Sequence, residues 1–272
     1  MDVSAQWIAF TRSQESKRLP SERLFEDPYA HAFVTEACLD HVDLMESLFP
    51  PMPHTIRLRT RCIDDCIQEF WKPGAQLVTL GSGADMRPHR MNLEDGIYFE
   101  VDRQDTIEDK ELIITNKLNL DTVNVTKIVA DFEKDSLNKL FEEGGVGRDV
   151  YTIFVMEGLV HYLWQSTHER MHKEMVENMR APFVALVYYN TRAYRQGKTN
   201  VPALSNLREH ALKSAITKDA GIDDIKAFAA KCGMVLDRDI SVTQMKHRYA
   251  PDSPFADPAG EHFRLAVLKG NW

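Results

Sequence analysis

Up to about Trp71 the chain follows a helical period: Ile56, Ile63, Ile67 and Phe70 recur on one face, and Pro73-Gly74 stops the helix. Beyond that point the pattern changes. Apolar runs that do not alternate, at 76–80, 97–101, 127–130, 151–156 and 183–189, are separated by helical stretches at 105–117, 135–142, 167–179 and 221–231. Two more strands are expected at 234–236 and 262–268. A strand without a polar side must be covered on both faces, which is the condition of a parallel sheet between helices. The chain is therefore expected to be α/β: a Rossmann-like, seven-stranded, mostly parallel sheet with an N-terminal helical cover. No repeat, linker or low-complexity tract breaks it, so 1–272 reads as a single domain, with 1–74 as cover and 75–272 as core.

Composition narrows the class without naming an activity. A 43% hydrophobic and 27% charged chain can form a globular core. Its net charge of −8 argues against a nucleic-acid partner held by phosphate contacts. The longest near-apolar run, 181–189, is less than half the ~20 residues a bilayer crossing needs, so no membrane span is expected. The opening MDVSAQWIAFTR lacks the basic-then-apolar pattern of a leader, and four cysteines suit a reducing compartment. A cytoplasmic protein is the expectation.

The sharpest local feature is where strand 76–80 runs directly into Gly81-Ser82-Gly83-Ala84-Asp85, with Asp102 at the end of the next strand. Glycines permit a tight turn and close backbone approach to a ligand. A carboxylate in the place of Asp102 can accept both hydroxyls of a ribose. Met86 stands where a dinucleotide fingerprint needs its third small residue, and no Gly-Lys-Ser/Thr of a Walker loop occurs. An adenosine ligand without a pyrophosphate is favoured, and with it S-adenosyl-L-methionine over a nicotinamide cofactor.

With these residues placed, the chain resembles the leucine carboxyl methyltransferase family, a branch of the class I S-adenosylmethionine enzymes that includes polyketide and other small-molecule O-methyltransferases. LFEDPYA (24–30), LRTRCIDD (58–65), TLGSGADMRPHRM (79–91), YFEVDRQDTIEDK (98–110), VADFEKD (129–135), FVMEGLVHYL (154–163) and HFRLAVLKGNW (262–272) match its motifs in order. The resemblance implies that Arg59 holds the methionine carboxylate, that Gly81 and Gly83 bring backbone against the cofactor and that Asp102 binds the ribose. By the same resemblance Asp131 and Phe132 frame the adenine, and Glu157 meets the cofactor's amino end. Arg61 competes with Arg59, but a two-residue offset turns them about 200° apart on a helix, so one of them faces the site; the family register selects Arg59. Arg12, Lys17 and Arg18 compete as the basic residue contributed by the cover.

The implied reaction is methyl transfer to oxygen, with acceptor-side insertions in the core and a small molecule or peptide as the acceptor. A carboxylate is already ionised at neutral pH and needs cationic anchors, for which Arg192 and Arg195 beside Tyr188, Tyr189 and Asn190 are candidates. A phenol of a polyketide-like compound is the alternative; it gains from a base, and His161 and Tyr162 are nearest in sequence. A family member that binds the cofactor without turnover is a further alternative. Tyr162 matches the family's tyrosine and is the candidate for orienting the acceptor, whereas His161 reads as structural. His168 and His172 have the spacing of two metal ligands but no Glu after His168 and no assigned third ligand, so they read as surface histidines and no metal is expected. Cys62 and Cys66 read as half-buried packing, and 192–198 as a solvated basic loop.

Overall fold

The computed structural model describes residues 1–120, 125–213, 218, 221–253 and 257–272. Strands β1 (Gln76–Leu80), β2 (Ile97–Asp102), β3 (Val125–Val129), β4 (Thr152–Met156), β5 (Phe183–Asn190), β6 (Val235–Ser241) and β7 (Phe263–Gly270) form one sheet in the order β3-β2-β1-β4-β5-β7-β6. The five strands from β3 to β5 pair in parallel, and β7 enters antiparallel between β5 and β6. This is the fold expected from the apolar runs.

Every residue of β1, β4 and β5 is buried, because alternate side chains feed two different cores. On β4, Phe154 and Met156 join Met171, Met175 and Phe228. Ile153 and Val155 face the other way, toward Ile56, Ile63 and Ile67 of helix α3 (Met52–Phe70). That second core also takes in Trp7 of α1 (Val3–Ser16) and Val42 of α2 (Glu36–Leu48), so the N-terminal helices pack on one face of the sheet.

Strand boundaries shift by a residue or two from the sequence reading at most strands, and the edge strands differ most. β6 extends to Ser241 through Asp237, Arg238 and Asp239, because an edge strand can leave polar side chains in water. β3, at the other edge, begins at Val125 and ends at Val129. Three smaller expectations are also corrected. His168 and His172 are fully buried on the helix Gln165–Asn178, against the ring of Phe228. Cys62 and Cys66 are buried rather than half-buried. The basic stretch opens with a short helix, Arg192–Arg195, whose Tyr194 is buried.

Candidate functional site

Strand order reverses between β1 and β4, with β2 and β3 on one side and β4 and β5 on the other, and in such sheets the crevice at the carboxyl ends is where ligands sit. The register brings Leu80 beside Val101, and Asp102 beside Val129, so the loops leaving β1, β2, β3 and β4 share one edge. Gly81 and Gly83 have φ of +75° and +45°, in the left-handed region that side chains resist. A Cβ at Gly81 would lie 3.1 Å from Leu159, in the loop after β4. Ala5 of α1 lies over Gly83. The glycine turn is thus enclosed between that loop and the N-terminal helix.

At the tip of β2, Asp102 accepts the Gly83 amide at 2.7 Å and the Arg103 amide at 2.7 Å. Burial nevertheless raises its pKa above the ordinary aspartate value, against the pull of those amides. The carboxylate is pinned in orientation but only partly desolvated.

Arg59 and Glu157, 98 positions apart, meet: Arg59 Nε donates to Glu157 Oε1 at 2.8 Å. The Arg59 guanidinium lies 4.8 Å from the centre of the Tyr188 ring. Arg61 faces away, bonded to Asp65 at 2.8 Å and to the Leu24 carbonyl at 2.6 Å, as the helical offset requires. Burial alone would raise the Glu157 pKa, but Arg87 and then Arg59 outweigh it and hold the carboxyl at about 2.

The other expected positions are less gathered. The Asp131 side chain is half exposed and pairs with Lys134 at 2.7 Å, while Phe132 is buried in the core beneath it. Tyr162 stands at the mouth, 39% exposed, with its hydroxyl 2.9 Å from that of Ser4 on α1. Of the three basic residues of the cover, Arg12 reaches the loop: it donates to the Ala84 carbonyl and pairs with Asp27 at 3.0 Å. Arg192 is drawn toward Asp223 at 3.4 Å and the Gly221 carbonyl. Arg195 donates to the Lys218 carbonyl. His161 packs edge-on to Tyr188, and burial, then Arg195 and Arg59, push its pKa down to about 3.

Sequence reasoning missed the charges beneath the site. Arg87, 1% exposed, bonds Asp64 at 2.7 Å, Asp85 at 2.7 Å and Glu157 at 2.9 Å. Arg90 joins Asp64 at 2.7 Å, and Lys110 joins Glu100 at 2.7 Å. The available signal was polarity in the wrong place, such as Glu100 inside the apolar run of β2. Among the described residues no group of three or more His, Cys, Asp or Glu could hold a metal ion, and no helix is long and apolar enough to cross a membrane.

Comparison with known proteins places this geometry among relatives. The family model described as leucine carboxyl methyltransferase matches residues 5–176. A protein of Frankia alni, named as a candidate S-adenosyl-L-methionine-dependent methyltransferase, is 30% identical over 174 residues, 59% of this chain and 59% of the relative. One from Streptomyces avermitilis with the same kind of name is 29% identical over 178 residues, again 59% of each. The chain thus spans 59% of the length of these two relatives. Among solved structures, a duf574 family protein from Streptomyces avermitilis superposes with a TM-score of 0.64 at 12% identity, over 98% of this chain and 97% of that one. A candidate methyltransferase from Thermobifida fusca gives 0.60 at 12% identity, over 88% and 90%. These likenesses show the shared fold.

Proposed function

The chain belongs to the leucine carboxyl methyltransferase family, and on that premise we propose that it is an S-adenosyl-L-methionine-dependent O-methyltransferase acting on a carboxylate. The observation that carries the reading is the Arg59–Glu157 pair at 2.8 Å beside a glycine turn and Asp102. A cation next to an anion is the complement of an α-amino acid's two ends. Asp102 suits a ribose, and the buried Ser82 hydroxyl, without a hydrogen-bond partner among the described residues, leaves one more polar group in the turn. The residues present therefore fit the cofactor. Arg59 would hold its carboxylate, Glu157 its ammonium, Asp102 its ribose hydroxyls, and Asp131 with Phe132 its adenine.

When bound, the cofactor supplies an electrophilic methyl group on a sulfonium. The chain's task is alignment: an acceptor oxygen placed in line with the carbon–sulfur bond forms a carbon–oxygen bond as the other breaks. For a carboxylate acceptor the products are an ester and a neutral thioether, so opposite charges cancel along the path. A site sheltered from water favours that loss of charge.

His161 favours a carboxylate over a phenol: packed edge-on against the Tyr188 ring, with its pKa pushed down by burial, it is neutral at pH 7 and is not a ready base for a phenol near pKa 10. Tyr162, at the mouth, is the residue assigned to orienting the acceptor, a small molecule or peptide. The same reading takes 1–272 as one domain with residues 1–74 as its cover. The test is transfer of labelled methyl groups to panels of carboxylic acids and phenols. Transfer to acids at a rate flat between about pH 6 and 9 is expected. Turnover of phenols alone, rising across that range, would overturn the acceptor assignment. Binding of S-adenosylhomocysteine with no transfer to any acceptor would leave a non-catalytic binder.

A further inference from the structure

Glu157 has two oxygens and two arginine partners, and the partners are not equivalent. Arg59, which holds Oε1, has the Tyr188 ring for a neighbour and no second carboxylate within bonding distance among the described residues. Arg87, which holds Oε2 at 2.9 Å, is fixed by Asp64 at its Nε and by Asp85 at its Nη1, each at 2.7 Å. The Arg87 amide also donates to Asp85 at 2.9 Å, and Arg90 braces Asp64 from the other side at 2.7 Å. A planar guanidinium bound to three carboxylates has no freedom to leave one of them. One partner of Glu157 can turn, and the other cannot.

We propose that Arg87 is a positioning residue for the amino-acid end of the cofactor. It anchors Oε2 of Glu157, so that Oε1 is presented to the ligand ammonium once Arg59 turns from Glu157 to the ligand carboxylate. This rests on the S-adenosylmethionine reading given above. Without Arg87, Glu157 would lose its fixed partner at the moment Arg59 is recruited elsewhere. A nearly buried carboxylate left with one mobile counterion is then free to rotate or to take up a proton. The anchor runs through Asp64 on α3 and Asp85 after the glycine turn, so cover and core both set its position.

The arrangement separates two ligands that share an adenosine. S-adenosylhomocysteine carries the ammonium and carboxylate; methylthioadenosine lacks both. In the 272-residue chain, Arg87→Met is expected to weaken S-adenosylhomocysteine by about 10- to 100-fold, the worth of a charge-assisted contact, and methylthioadenosine by less than about twofold. Arg87→Lys keeps the charge but cannot bridge three carboxylates, and should raise the ratio of the two dissociation constants by about tenfold. If Arg87→Met does not fold, Arg87→Lys decides by the same ratio. Equal losses for both ligands, or none, would show that Arg87 only supports the fold and would overturn the inference. If the unmodified chain binds neither ligand, it is the cofactor reading that fails instead.

Discussion

At the scale of single residues, the centre of the site is a pair of nearly buried opposite charges, Arg59 and Glu157, held by the scaffold. Arg59 loses its carboxylate partner if Glu157 is neutralised, and breaking a nearly buried pair costs about 3–5 kcal/mol. Glu157→Gln is therefore expected to weaken S-adenosylhomocysteine at least tenfold in calorimetry, with some loss of stability because Arg87 and Arg59 both lose a charge partner. Asp102→Ala should cost about 10- to 100-fold, the worth of one or two charge-assisted bonds to a ribose. Two buried histidines lead to a prediction of a different kind. His172 is neutral in the folded chain, its pKa pushed by burial from 6.5 to about 4, and His168 is lowered further by burial and by His172. Unfolded, each takes up a proton below about pH 6.5, so acid favours the unfolded state. Stability should fall as the pH drops from about 6.5 to about 4, by about 3 kcal/mol for His172 alone. Denaturant titrations across that range check it, and His172→Leu should flatten the curve.

At the scale of elements, the glycine turn works because β1 delivers it between two covers. Leu159 closes one side and Ala5 of α1 the other. Gly81→Ala forces a side chain into a left-handed backbone position and against Leu159, which is expected to cost about 1–3 kcal/mol and to weaken cofactor binding together with it. Thermal melts with and without ligand would read both effects. Helix α1 is tied to the turn by Arg12, which reaches both Asp27 and the Ala84 carbonyl. In Arg12→Met, hydrogen exchange in α1 is expected to quicken while β1, β4 and β5 stay protected, since one face of those strands lies in a core that α1 does not join. Equal exchange throughout would mean that helix and sheet open as one unit.

At the scale of the whole molecule, cofactor binding joins cover to core, so ligand should stabilise both. At a hundredfold excess over its dissociation constant, S-adenosylhomocysteine is expected to add about 3 kcal/mol and raise the melting temperature by roughly 5–10 °C. The strands and their mostly parallel sheet were legible because buried parallel strands carry unbroken apolar runs, as in β1 (76–80) and β5 (183–190), whereas the strand order came from the structure. The edge strand β6 was legible only in its first residues, since Asp237, Arg238 and Asp239 look like a loop when the neighbouring strand is unknown. The offset of Arg59 from Arg61 could be reasoned from helical geometry alone, and the two side chains do diverge. His168 and His172 were misread because polarity alone does not reveal burial, which in their case is imposed by Phe228 arriving from a distant helix. Local periodicity and turn chemistry thus determined the element types and the glycine turn, because each depends on neighbours in the chain, while the family was read from the resemblance of its ordered motifs. Only the tertiary structure decided that Arg87 holds Asp64, Asp85 and Glu157 together. Charge pairing acts through space, and residues 64, 85, 87 and 157 become neighbours only after α3 has packed on the sheet.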